Sequence, residues 1–169
     1  DTTSTSISIS AADITHISCH DVNDGAITIH VSGGVQPYQY TLDGGVPQSD
    51  STYTGLSEGA HVVEVEDLSL CNSTQVINII NPPSLYIDTT IVNPVQCHGE
   101  SNASIQAIIA VGGTPPYAYS VNGGFSHNNM SYFINYGADT YTVEVQDVNN
   151  CFSQDIVVIE EPPALTVTI

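Results

Sequence analysis

Along most of the chain, apolar and polar residues alternate with a period of two, as in Ala26-Ile27-Thr28-Ile29-His30-Val31, Tyr38-Gln39-Tyr40-Thr41-Leu42 and Tyr141-Thr142-Val143-Glu144-Val145. Successive side chains of an extended strand point to opposite faces, so each such segment reads as a strand with one buried face. The pattern predicts strands at 7–17, 25–32, 37–43, 51–56, 60–67 and 73–80, and again at 85–96, 103–111, 116–122, 130–136, 140–147 and 153–160. No segment combines a 3.6-residue period with helix caps, so little or no helix is expected. The pairs Gly33-Gly34, Gly44-Gly45, Gly112-Gly113 and Gly123-Gly124 mark turns that need positive φ.

The strand pattern is written twice. Gly33 to Gly45 and Gly112 to Gly124 share paired glycines, a proline, Tyr-x-Tyr and a second glycine pair. Cys19-His20 matches Cys97-His98, Val63-Glu64-Val65 matches Val143-Glu144-Val145, and Cys71 with Pro82-Pro83 matches Cys151 with Pro162-Pro163. The offset drifts from 78 residues (97 minus 19) through 79 (112 minus 33) to 80 (151 minus 71), so single insertions separate the copies. A fixed period of this size indicates an array of similar modules. The expected division is 1–83 for the first module and 84–163 for the second, with 164–169 as the first strand of a following module or a donated strand. Six or seven short strands per module, separated by regular turns, predict an all-β fold of tandem immunoglobulin-like antiparallel sandwiches. In that fold Tyr38, Tyr40, Tyr117 and Tyr119 enter a central strand. They could form a sugar-stacking platform, but their identical placement in both copies fits core packing better.

A module of about 80 residues buries only about 60–65% of its unfolded surface and tends to need a staple. The four cysteines, two per copy, are the obvious ones. If Cys19 pairs with Cys71 and Cys97 with Cys151, each bridge closes a loop of about 50 residues, worth about 4 kcal/mol in the chain-entropy model. Such a framework points to an oxidising compartment outside the cytoplasm. A metal site using His20 and His98, which follow Cys19 and Cys97, is the competing reading. It is disfavoured because neighbouring strand residues face opposite ways and no Cys-x-x-Cys pair exists.

Charge narrows the function further. The chain has eighteen Asp and Glu, no Lys or Arg, and a formal net charge of −18. A surface without cations cannot neutralise phosphates, so neither nucleic-acid binding nor attraction to anionic headgroups is expected. No apolar run approaches the roughly 20 residues that span a bilayer, and Asp1 opens no signal peptide, which predicts a mature or excised segment. Glu64, Glu66 and Asp67, with Glu144 and Asp147, read as solubilising charge on an exposed strand face. Asp21-Val22-Asn23-Asp24-Gly25 resembles a fragment of a calcium loop, but its glycine falls one position early and the matching stretch from Gly99 to Ala103 has one acid. A solvated turn is the better reading, no cofactor is expected, and calcium stays as the alternative. No catalytic motif or converging acid pair appears, and His30 and His61 lie in alternating strands, so the chain is not expected to be an enzyme. Thr2, Ser51 and Thr89 fall in a shared Asp-Ser/Thr-Thr pattern and are candidate O-glycosylation positions.

The unit Cys-x(5)-Gly-x-Ile-x-Ile-x-Val-x-Gly-Gly-x-x-Pro-Tyr-x-Tyr, followed by Tyr-x-Val-x-Val-x-Asp-x-x-x-Cys and Pro-Pro, resembles the SprB repeat. The first copy carries it at Cys19, Asp24-Gly25, Ile27, Gly33-Gly34, Pro37-Tyr38, Tyr40, Asp67 and Cys71. The second carries it at Cys97, Ile105, Gly112-Gly113, Pro116-Tyr117, Tyr119, Tyr141, Asp147 and Cys151, with Asn102-Ala103 where Asp-Gly is expected. The first copy has His61 where the motif prefers tyrosine. The resemblance implies a large exported surface protein of gliding Bacteroidetes, type IX secretion, adhesion or filament formation, and no catalytic residues. The Asp-Ser/Thr-Thr pattern resembles an O-glycosylation signal of that phylum. The expected partners are neighbouring repeats, identical subunits or surface polysaccharide; the alternative function is a module that binds carbohydrate or protein directly.

Overall fold

A computed structural model of the chain describes residues 6–123 and 131–168. All regular structure among them is strand, twelve in number, with no helix. The chain divides into two compact units between Asn81 and Pro82.

The first unit contains β1 (Ser8–Thr15), β2 (Gly25–Ser32), β3 (Gln39–Leu42), β4 (Thr52–Leu56), β5 (Gly59–Glu66) and β6 (Asn72–Ile79). They form two three-stranded antiparallel sheets, ordered β1-β2-β4 and β3-β5-β6. The second unit repeats this with β7 (Tyr86–Asn93), β8 (Ala103–Val111), β9 (Ala118–Val121), β10 (Tyr132–Tyr136), β11 (Asp139–Gln146) and β12 (Phe152–Ile159), in sheets β7-β8-β10 and β9-β11-β12. Each predicted strand has its counterpart; the segment predicted at 130–136 begins outside the described residues, and β10 supplies the part within them.

Alternation is what builds the core. In β2 the residues Gly25, Ile27 and Ile29 are buried, while β5 buries His61, Val63 and Val65. One apolar cluster draws on both sheets of the first unit: Ile27 and Ile29 from one, Tyr40, Val63, Val65, Ile77 and Ile79 from the other, closed by Ile7 and Ile17. The second unit places Ile105, Ala107, Tyr119, Val143, Val145, Val157 and Ile159 in the same positions, closed by Leu85 and Val95. Each buried isoleucine, leucine and valine contributes about 1.5–3 kcal/mol, so the two faces hold the sheets together.

The glycine pairs bind the first strand to this core. Gly113 has φ +60°, and a Cβ there would lie 2.8 Å from Asp147 Oδ2 and 3.2 Å from Leu85 Cδ1. Gly34 occupies the same place against Asp67 and Ile7, at 3.0 Å from each. No residue type but glycine combines that backbone with that close approach. After each pair the chain passes a cis proline peptide, Gln36-Pro37 or Pro115-Pro116. Gly124 and Thr2 lie outside the described residues.

Candidate functional site

Both ends of each unit carry a cysteine in a turn that a polar side chain pins from behind. At one end, the Cys71 turn is organised by Asp67, which is only 5% exposed. Its Oδ1 accepts from the N–H groups of Ser69 (2.8 Å) and Cys71 (2.9 Å), and its Oδ2 from Val35 N–H (2.9 Å). The Asp67 N–H donates to the Cys71 carbonyl (2.9 Å). Asp147 repeats this with Asn149, Cys151 and Thr114. One carboxylate thus ties the glycine-pair loop to the cysteine turn. The Val35 N–H, then those of Cys71 and Ser69, hold the Asp67 carboxyl below the usual carboxylate range, although burial opposes them.

The expectation that Asp67 and Asp147 belong to a solvent face is therefore corrected. They continue the buried parity of Val63-x-Val65 and Val143-x-Val145 one step past the strand, and backbone donors satisfy their charge. That parity was the sequence signal for them. Glu64, Glu66 and Glu144 are half-buried on the opposite parity.

At the other end, Cys19 and Cys97 sit in matching turns, where the Cys19 carbonyl accepts from Val22 N–H (3.1 Å) and the Cys97 carbonyl from Glu100 N–H (3.2 Å). Asp24 Oδ1 accepts from Ser18 N–H (3.0 Å), its Oδ2 is bonded to the Ser18 hydroxyl, and Asn102 Oδ1 accepts from Gln96 N–H (3.1 Å). The Ser18 hydroxyl and N–H lower the Asp24 pKa. Asp24 is thus a turn staple replaceable by asparagine. Among the described residues, no three His, Cys, Asp or Glu side chains gather in a way that could hold a metal ion.

The expected pairing of Cys19 with Cys71 and Cys97 with Cys151 is not the one found. Cys71 and Cys97 are free, exposed thiols, whereas Cys19 and Cys151 are disulfide-bonded. The reason is the length of one strand. Ile17 N–H donates to the Ile80 carbonyl (3.2 Å), which puts Cys19 beside the C-terminal end of β6. Cys71 precedes the N-terminal end of that strand. The nine residue steps from 71 to 80 span about 30 Å at roughly 3.3 Å per residue. A disulfide needs Cα atoms within about 7 Å. In the second unit Gly99 N–H donates to Glu161 Oε2 (2.8 Å), and His98 Nδ1 lies 3.1 Å from Glu161 Oε1, so Cys97 stands at the far end of β12 from Cys151.

The tyrosines are used alike in both units. Tyr40 and Tyr119 are each 8% exposed in the core. The hydroxyls of Tyr38 and Tyr117 donate to the carbonyls of Gly33 (2.6 Å) and Gly112 (2.7 Å), five residues upstream. Burial raises the pKa of Tyr40 and Tyr119. Ser51 is half-buried before β4, its carbonyl accepting from Ile29 N–H (2.9 Å). Thr89 is exposed at an irregularity of the β7–β8 pairing. His30 is an exposed strand residue with Nε2 2.8 Å from Asp13 Oδ2.

Both all-β units carry the glycine pair, the Tyr-x-Tyr, the clamping aspartate and the two cysteines in the same places. The SprB repeat model matches residues 11–47 and 89–125. No curated protein matches the chain. No helix among the described residues is long and apolar enough to cross a membrane.

Proposed function

We propose that the chain is a structural repeat segment of a long extracellular cell-surface protein, the stalk of an adhesin or the shaft of a filament, without catalytic activity. The observation that carries this reading is the identical internal use of the chemistry-bearing residues in both repeats. Tyr40 and Tyr119 are core, Tyr38 and Tyr117 close the glycine loops, and Asp67 and Asp147 clamp the cysteine turns. A ligand-binding module would hold such groups on an open face, and in one copy more than in another. The strand order β1-β2-β4 and β3-β5-β6 supports an immunoglobulin-like sandwich, being the seven-strand arrangement with its fourth strand left out. The charge of −18 supports an extended surface array, because such chains repel one another and stay soluble. Gliding motility, export by the type IX route and O-glycans on Thr2, Ser51 and Thr89 belong to the same reading.

Antibodies raised against the chain test it on unpermeabilised cells of the source organism. The expected result is surface labelling removed by brief protease treatment, together with no binding of the isolated chain to a broad glycan array. Labelling only after permeabilisation overturns the surface role. Saturable glycan binding by the isolated chain turns the reading into that of a carbohydrate-binding module.

A further inference from the structure

The chain has no Lys or Arg, so its six histidines are the only side chains able to carry a positive charge. Two of them stand where the units end. In the first unit His16 Nδ1 accepts from Ile80 N–H (3.2 Å), beside the bond from Ile17 N–H to the Ile80 carbonyl (3.2 Å). Ile80 is the second residue before Pro82-Pro83. In the second unit Glu161, next to Pro162-Pro163, is held by the turn after Cys97. Its Oε2 accepts from Gly99 N–H (2.8 Å), and its Oε1 lies 3.1 Å from His98 Nδ1.

Neither fastening can be made in the other unit. Pro94 takes the His16 position in the second unit and has no ring nitrogen to accept with. Asn81 takes the Glu161 position in the first, and its Oδ1 is buried without a hydrogen-bond partner. His20, the counterpart of His98, lies instead 3.5 Å from Asp21 Oδ2. The chemistry of the two clasps differs. An imidazole nitrogen accepts only while it is unprotonated, so proton uptake by His16 turns the acceptor into a donor facing Ile80 N–H. At His98 proton uptake puts a donor on Nδ1 in every ring, where a neutral ring does so in one tautomer only, and adds a charge opposite to that of Glu161. The acids nearest in sequence are turned elsewhere or open to solvent. Asp13 faces His30 (2.8 Å), Asp24 is bonded to Ser18, and Glu100 accepts from Asn102 Nδ2 (2.6 Å). Glu160 and the Cys97 thiol are exposed.

We propose that the two units are fastened at their exits by histidine clasps of opposite pH sense: proton uptake releases the His16 clasp on Ile80 and tightens the His98 clasp on Glu161. Imidazoles change charge between about pH 5 and 8. Mild acid therefore frees the approach to the first proline pair while it secures the approach to the second, whatever surface the chain serves.

Amide exchange of Ile80 and Gly99 in the intact chain, followed by NMR from pH 5.5 to 8 and corrected for the intrinsic rate, tests this. From pH 8 to pH 5.5 the protection of Ile80 should fall about two- to tenfold, the worth of one hydrogen bond. That of Gly99 should rise about two- to fivefold, as an exposed ion pair allows. Two variants assign the effects, both at exposed residues. His16→Gln supplies a neutral acceptor and should flatten the Ile80 profile. Glu161→Gln keeps a carbonyl oxygen for Gly99 N–H without the charge, and should flatten the Gly99 profile. The proposal is overturned if the two amides move in the same direction, or if either keeps its wild-type profile in its variant. It is also overturned if Ile80 follows the core amides of β5, since the change would then belong to the whole unit.

Discussion

At the scale of single residues, the two aspartates of the Asp-x-x-x-Cys turns bear the most weight. Each collects three backbone N–H groups from two separate loops. Removing the carboxylate leaves those donors unpartnered in a mostly buried place, and hydrogen bonds to charged groups are each worth about 1.5–3 kcal/mol. Asp147→Ala is expected to destabilise the second repeat by about 3 kcal/mol, read by denaturant titration; a change within experimental error would show that water replaces the carboxylate at no cost. At Asp67 the expectation concerns pH. A carboxyl held below its unfolded value adds stability that is complete above the unfolded pKa of about 3.9 and is lost as pH falls through the lower folded value. Thermal melts from pH 7 to pH 2 should show this acid loss in the wild type. Asp67→Asn should begin less stable, because its amide NH₂ faces a backbone donor, and should lose less on acidification. An equally steep acid limb in the variant would assign that loss to other carboxyls.

Among the strands, the clearest difference between the repeats is a coupled exchange at the start of β5 and β11. In the first repeat His61 lies 2.8 Å from Asp43 Oδ2 through Nδ1 and 3.0 Å from the Ser57 carbonyl through Nε2. Both partners accept, so a ring protonated on both nitrogens satisfies the site. The Ser57 carbonyl first, and Asp43 second, raise the His61 pKa above 6.5. In the second repeat the Tyr141 hydroxyl donates to the Gly137 carbonyl (3.2 Å), and Asn122 replaces Asp43, accepting from Thr142 N–H as Asp43 accepts from Val62 N–H. A raised histidine pKa adds stability that is complete below pH of about 6.5 and is lost as pH rises through the folded value. The first repeat should therefore soften from that pH upward, and the double variant His61→Tyr with Asp43→Asn should be flat over the same range. Amide exchange within β5, followed from pH 5.5 to 8 and corrected for the intrinsic rate, checks it; matching profiles for both proteins would refute the assignment. The same strands show what a sequence can disclose. Ile27-x-Ile29 and Val63-x-Val65 each present one apolar face, so strand positions follow directly from the pattern. Which ends of the strands come together does not, because alternation carries no direction. For that reason Cys19 and Cys71 read as a pair in the linear chain, although β6 holds them apart.

At the scale of the whole molecule, the residues after the last strand pose a question that the repeat itself frames. Pro162-Pro163-Ala164-Leu165 follows β12 as Pro82-Pro83-Ser84-Leu85 follows β6. Leu85 is 8% exposed and closes the core of the second unit against Gly113, and Ile7, at 6%, does the same in the first unit against Gly34. Leu165 is 101% exposed, Val167 is 87% exposed, and Ala164–Thr168 belongs to no strand. A leucine in a core-closing register with no core to close should acquire one when a further repeat follows it. We test this by joining residues 90–163 after Ile169, so that a third unit begins in the natural register with residues 165–169 in place of 85–89. In the present chain Leu165→Ala should leave the melting curve unchanged, since the side chain touches little. In the lengthened chain the same substitution should destabilise the added repeat by about 3 kcal/mol, the ordinary cost of removing a buried leucine side chain. The amides of residues 165–168 should also gain exchange protection there, as a first strand paired in an antiparallel sheet requires. If Leu165→Ala has the same small effect in both chains, the segment is a spacer rather than a strand, and the repeat begins after it.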